Sequence, residues 1–183
     1  MKIYAFIFCR SGSKGLPNKN IKKLNGISLL KRNINLIKKC KKINKIFVST
    51  DSKEYQKEAI ESGALVPVLR PIKLSQDNSS EIDAWKFMVK YLEEKGDNFD
   101  IFMSIPVVSP LKDYIDIDNC IEKFIENQDN DLLITVKKSE RNPYFNMIKN
   151  DKQGFSSLVI NPVKNVTRRQ DSPKVFDITT VAY

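Results

Sequence analysis

The chain has 183 residues, 41% hydrophobic and 29% charged, a globular profile large enough for one real core and too short for two large ones. It carries a formal net charge of +9 and no histidine, which excludes Ser-His-Asp and Cys-His catalysis and histidine-based zinc sites. No apolar run approaches the roughly 20 residues of a membrane helix, so no membrane partner is expected.

The charge is unevenly placed. Residues 1–50 hold 13 Lys or Arg and no Asp or Glu, leaving 18 basic and 22 acidic groups in 51–183. A one-sided basic field attracts polyanions, either nucleic acid or a nucleoside triphosphate. The lysines of 38–45 serve equally well as a solvated surface. Cys9, Cys40 and Cys120 are widely spaced, with no C-x-x-C, and read as reduced core thiols of a cytoplasmic protein.

In chain order, Ile3–Phe8 is too short and too β-rich for a helix, and its lack of alternation predicts a strand buried on both faces. It ends at Arg10 without a small-residue cleavage site, so it reads as a first strand and not a leader. A basic loop at 10–20 follows. Residues 27–43 predict a helix, with Leu30, Ile34 and Ile37 on one face. A second strand is expected at 45–50, a helix at 54–62 closed by Gly63, and a third strand at 64–69. Ser80-x-x-Asp83 resembles a capping box before a helix with Trp85, Met88, Val89 and Leu92 on its apolar face. Further on, 99–108 and 132–136 read as strands and 115–126 as a helix. Alternating strands and helices predict an α/β domain with a mostly parallel, right-handed-crossover sheet, whose ligands bind at the carboxyl ends of strands. From about residue 139 the pattern loosens, with breaks at Asn161-Pro162 and Arg168-Arg169-Gln170, predicting an arm at 139–176. Residues 175–183 read as a strand inside which the chain stops, so a truncated chain is expected.

The loop RSGSKGLPNKN carries the most chemistry. Gly12 and Gly15 permit close approach and positive φ, so that successive N–H groups can converge on an anion. Lys14 and Lys19 add charge, and Arg10 adds a planar fork suited to phosphate. The Walker A and G-x-G-x-x-G spacings are both absent. On its residues alone, this is an anion-binding loop or a basic surface turn. Asp51 reads either as a strand-end site residue or as the cap of the next helix. Ser79 and Ser80 are N-cap candidates that also favour anions, and Asp77 is expected to brace its own loop by side-chain-to-backbone bonds. Asp113, Asp116 and Asp118 suit the first turn of a helix and are not nominated as metal ligands.

The same string resembles the R-x-x-S-K-G-x-x-x-K-N signature of the acylneuraminate cytidylyltransferases. Further segments follow in that family's order: Ser49-Thr50-Asp51, Leu69-Arg70-Pro71, Leu74–Asp77 with Ser79-Ser80, SIPVVSPLK at 104–112, and Arg168-Arg169-Gln170 before Tyr183. The resemblance spans nearly the whole chain. It implies a Rossmann-like, mixed but mostly parallel sheet with helices on both faces, of the nucleotide-diphospho-sugar transferase type, in a single domain over 1–183 with a small dimerisation arm. It implies coupling of CTP to a nine-carbon acidic sugar, with Mg²⁺, to give a CMP-sugar and pyrophosphate. Arg10, Lys14 and Lys19 are then the catalytic cations, and Ser13, Gly15 and Asn20 join them on the triphosphate. Arg70 and Ser80 lie around the cytidine, and Arg169 and Gln170 near the sugar, reaching across a homodimer. No nucleic-acid partner is implied. Three departures stand out: Cys9 replaces the usual alanine, Val108 replaces a hydroxyl residue, and the later D-x-D carboxylates that hold the metal are expected beyond residue 183. Two alternatives stay open: an enzyme for the eight-carbon lipopolysaccharide acid, and a catalytically incomplete fragment that binds CTP or other polyanions.

Overall fold

In the computed structural model, which describes residues 1–127, 129–161 and 168–183, the opening apolar run forms strand β1 (Ile3–Phe8), buried along nearly its whole length. A 3-10 turn at Lys19–Ile21 and a short antiparallel pair, β2 (Lys23–Leu24) with β3 (Ile27–Ser28), lead into helix α1 (Leu29–Ile37). Ser28 caps α1 by accepting from the Lys31 N–H at 3.0 Å. Then come β4 (Lys45–Ser49), α2 (Lys53–Glu61), α3 (Glu81–Glu94), β5 (Ile101–Ser104) and α4 (Tyr114–Glu126). These elements belong to one compact unit, Met1–Thr135 with Thr180–Tyr183.

The sheet of this unit has the order β4-β1-β5, with both pairings parallel. Because β1 is central, its side chains enter two cores alternately. Ile3, Ala5 and Ile7 pack with Leu30, Ile34 and Ile37 of α1 and with Ile117 and Ile121 of α4. Tyr4 and Phe6 pack on the other side with Phe47, Met88 and Leu92, the last two from α3. There Phe6 stacks on Phe102 at 4.5 Å and on Phe47 at 5.4 Å between ring centroids. Truncating so enclosed a ring costs about 3–5 kcal/mol. Helices thus cover both faces of a parallel sheet, as the unbroken apolar run of β1 requires.

Several boundaries differ from expectation, each for a local reason. The expected strand at 64–69 is a single parallel bridge, Phe47↔Leu65, because Pro67 has no N–H for a ladder. The strand expected at 99–108 is only Ile101–Ser104, since Pro106 interrupts it. The helix expected to reach residue 43 ends at Ile37, where the chain turns to bury Cys40 among four lysines that would repel one another on a continued helix. The expected Ser80 capping box is absent: Ser80 occupies the N-cap position of α3 without a side-chain bond. The true capping box is Asp113 with Asp116 on α4. Trp85 and Val89 are half-buried, and the buried face of α3 is Ala84, Met88 and Leu92. At the outer edge of β5, Ser104 and Tyr183 exchange both backbone hydrogen bonds at 2.9 Å. That reciprocal exchange is a single antiparallel pairing beside a sheet whose strands are all parallel.

Val136–Thr179 forms a second unit. In it β6 (Val136–Lys138), where only the end of the 132–136 segment is strand, pairs antiparallel with β9 (Phe176–Ile178). Between them β7 (Ile148–Asn150) pairs antiparallel with β8 (Ser156–Leu158). These strands are exposed almost throughout, and among the described residues the unit contributes no buried hydrophobic. Pro162 of the expected break lies outside the described residues. Among the described residues, no helix is long and apolar enough to cross a membrane.

Candidate functional site

From the central strand β1 the chain moves to β4 on one side and later to β5 on the other. Such a reversal opens a crevice beyond the carboxyl ends of the strands. A cleft of about 840 Å³ lies there. All eight residues expected on the nucleotide line it: Arg10, Ser13, Lys14, Gly15, Lys19 and Asn20 from the loop after β1, and Arg70 and Ser80 from the segment before α3. Four cations, Arg10, Lys14, Lys19 and Arg70, face two carboxylates, Asp77 and Glu81.

The loop after β1 is held from both sides. Cys9 N–H donates to Ser49 O at 3.0 Å, prolonging the ladder to the strand ends. Asp51 then accepts from Ser11 twice, from the backbone N–H at 2.9 Å and from the hydroxyl at 2.8 Å. The cap of α2 is Ser52, which accepts from the Tyr55 N–H, so Asp51 is free to act as the loop's anchor. Asn20 is buried and donates from Nδ2 to the Arg10 carbonyl at 3.1 Å; this contact braces the loop beside the cleft. Gly12 and Gly15 do not use positive φ, contrary to expectation. A Cβ built on either meets nothing within 4 Å, and of the two only Gly15 lines the cleft, where its bare backbone leaves the wall uncluttered.

Asp77 does not brace its own loop. Its Oδ1 lies 2.8 Å from Arg10 Nη2, and its other oxygen pairs with Lys14 Nζ. The Lys14 bond, ahead of the Arg10 bond, holds the Asp77 carboxyl below the usual carboxylate range. Arg10 also donates from Nη1 to Ser75 O at 3.3 Å. Arg70 is 6% exposed and donates from Nε to Ser75 Oγ at 2.9 Å. Burial lowers its pKa, the mark of a desolvated cation that gains from an anion nearby. Cys9 is buried and its thiol is pushed up to about 12 by that burial, so it is a core thiol and no nucleophile.

Arg169 and Gln170 fall in the second unit, in a 3-10 turn at Arg169–Asp171. Gln170 is exposed, and the preceding Arg168 is bound to Asp171 at 2.7 and 3.0 Å. Pro106, Val108, Thr180 and Tyr183 also line the cleft, and the Thr180 and Ser109 hydroxyls share a hydrogen bond at 2.6 Å. Thr180 carried no signal in the sequence. Among the described residues, no group of three or more Asp, Glu, Cys or His stands together to hold a metal ion.

Residues 4–177 match the family model described as cytidylyltransferase. The post-translational flagellin modification protein B of Campylobacter coli is 34% identical over 183 residues, spanning all of this chain and 76% of that protein. The CMP-N,N'-diacetyllegionaminic acid synthase of Campylobacter jejuni is 34% identical over 185 residues, with the same shares of each chain. Among solved structures, a CMP:2-keto-3-deoxy-manno-octonic acid synthetase complexed with CTP superposes with a TM-score of 0.65 at 14% identity, covering 100% of this chain and 73% of that one. At that identity the likeness speaks for the fold alone.

Proposed function

The chain belongs to the cytidylyltransferase family, of the acylneuraminate type, and from that premise we propose that it activates a nine-carbon acidic sugar of the sialic, legionaminic or pseudaminic type with CTP. In this reaction the anomeric hydroxyl oxygen attacks the α-phosphorus in line. The bond to the bridging oxygen breaks, pyrophosphate leaves with its electron pair, and the hydroxyl proton passes to solvent. The observation that carries the reading is the convergence of eight residues from separate sequence motifs on one basic cleft at the carboxyl ends of the strands.

Little covalent work is asked of such a protein, so positioning and charge neutralisation suffice without histidine. Arg10, Lys14 and Lys19 receive the triphosphate and stabilise charge on the equatorial oxygens and the leaving pyrophosphate. Ser13, Gly15 and Asn20 shape that cradle, and Arg70 and Ser80 flank the cytidine. Arg169 and Gln170 are assigned to the acid sugar. Mg²⁺, when bound, would neutralise phosphate charge; among the described residues no cluster of three or more Asp, Glu, Cys or His stands ready to hold it. The second unit is proposed as a homodimer arm. In support, Val136, Phe176 and Ile178 share one face of the β6–β9 ribbon and are 46%, 55% and 64% exposed. The proposed compartment is the cytoplasm, where the free thiols Cys9, Cys40 and Cys120 stay reduced. The reading as an eight-carbon-acid enzyme rests on fold likeness alone.

The test is CTP-dependent pyrophosphate release with sialic, legionaminic and pseudaminic acids in turn. Release with one of them and not with the eight-carbon acid is expected. No release with any of the three would refute the proposal.

A further inference from the structure

We propose that the Asp77 carboxylate is a built-in competitor for the phosphate position: it holds Arg10 and Lys14 between turnovers, yields them to the triphosphate, and returns to help expel pyrophosphate. This rests on the nucleotide reading above and adds a regulating residue to that same cleft.

Both Asp77 oxygens are committed to the loop opposite, one to Arg10 at 2.8 Å and the other to Lys14. The turn that presents Asp77 is braced without it. Ser79 Oγ accepts from the Gln76 N–H at 3.0 Å and donates to Lys73 O at 2.8 Å, while Ser79 N–H donates to Gln76 O at 3.1 Å. Asp51 makes the contrast: it grips the same loop through the Ser11 amide and hydroxyl, with no cation involved. Asp77 therefore sits where a phosphate oxygen would, in the charge-assisted geometry that both anions favour.

The strength of the contact suits a reversible role. The side chains are 44% exposed for Asp77, 81% for Lys14 and 32% for Arg10, and solvent screens pairs this accessible, so the grip is weak. A nucleoside triphosphate carries several negative charges and easily wins the two cations. Pyrophosphate, once cut from the nucleotide, faces a carboxylate that never diffuses away. A competitor this well screened is expected to change affinity by only about fivefold.

The experiment is calorimetric titration of CTP and, separately, of inorganic pyrophosphate into the full chain and its Asp77→Asn variant. Both dissociation constants are expected to fall about fivefold in the variant, with the gap narrowing as salt screens the competitor. Pyrophosphate should also inhibit turnover at correspondingly lower concentration. Asp77→Glu, which keeps the charge, should bind like wild type, and Asp77→Ser carries the same expectation as Asp77→Asn should that variant fold poorly. A residue that merely props the loop would have the opposite effect, so unchanged or weaker binding in a folded Asn or Ser variant overturns the proposal. If the wild-type chain binds CTP but its variants do not tighten, only the competitor role fails. If the wild type binds neither CTP nor pyrophosphate, the nucleotide reading falls and this one with it.

Discussion

The two ends of the parallel sheet each hold an aspartate gripped by a lysine and a second donor, yet they do opposite things. At the amino end, Asp97 accepts from Lys45 at 2.6 and 2.8 Å and from the Tyr4 hydroxyl at 2.6 Å. Lys45 also lies over the Tyr4 ring, 5.1 Å from its centroid. One cation meets one anion, and the set ties β1 and β4 to the turn after α3. At the carboxyl end, Asp77 is gripped by Lys14 and Arg10, but Lys19 and the buried Arg70 face the same cleft. Balanced charge stabilises the fold; surplus charge on an open crevice binds.

The contrast breaks most visibly at Arg10. Arg10→Ala is expected to weaken CTP binding by about 2–3 kcal/mol, the worth of charge-assisted bonds, while the thermal midpoint stays within about 2 °C of wild type. Calorimetry and a melting curve together check this, and a lost midpoint with unchanged affinity would reverse the two ends' roles. Asp97→Asn should do the reverse, costing about 1–2 kcal/mol of stability and leaving CTP affinity alone. The Lys45 bond, then the Tyr4 bond, lowers the Asp97 pKa from its ordinary value of 3.8. Its contribution is therefore present above pH 3.8 and is lost as pH falls through the lower folded value. Denaturation of wild type and variant should accordingly converge at the acid end.

Lys112 sharpens the comparison as a cation with no ion pair among the described residues. It donates to Pro106 O at 2.6 Å and Val181 O at 3.4 Å, and burial lowers its pKa from 10.5 to about 8. Between those values the unfolded chain binds more protons, so stability rises with pH across the window. Relative to Lys112→Met, wild type should gain about 1 kcal/mol from pH 8 to pH 9 in urea unfolding. Gly15→Ala is the smallest expected effect. Its Cβ meets nothing within 4 Å, so the melting point should hold, while CTP binding weakens by about threefold as the methyl group crowds the phosphate face. Unaltered binding would place the phosphates elsewhere in the cleft.

Much of this was legible in the sequence because it is local. An unbroken apolar run makes β1 a central strand, Leu30, Ile34 and Ile37 at helical spacing make α1, and the strand-end motifs list the residues of the cleft. What escaped depends on distant segments meeting. Asp51 grips Ser11 from 40 residues away in sequence and Arg10 meets Asp77 across 67, so neither carboxylate's partner shows in its own neighbourhood. Gly12 and Gly15 suggest positive φ by their type alone, but neither backbone adopts it. The 64–69 segment misled because its β-rich composition outweighed the donor missing at Pro67.

The most direct test of the central claim is to titrate CTP into the isotopically labelled chain and follow its backbone amide resonances. The account predicts saturable shifts at residues 11–16 and 18–20, at Arg70 and at 79–81, with the amides of Lys2, Lys45 and Asp97 unmoved. Shifts confined to the lysines of 38–45, matched by duplex DNA and leaving the cleft silent, would contradict it.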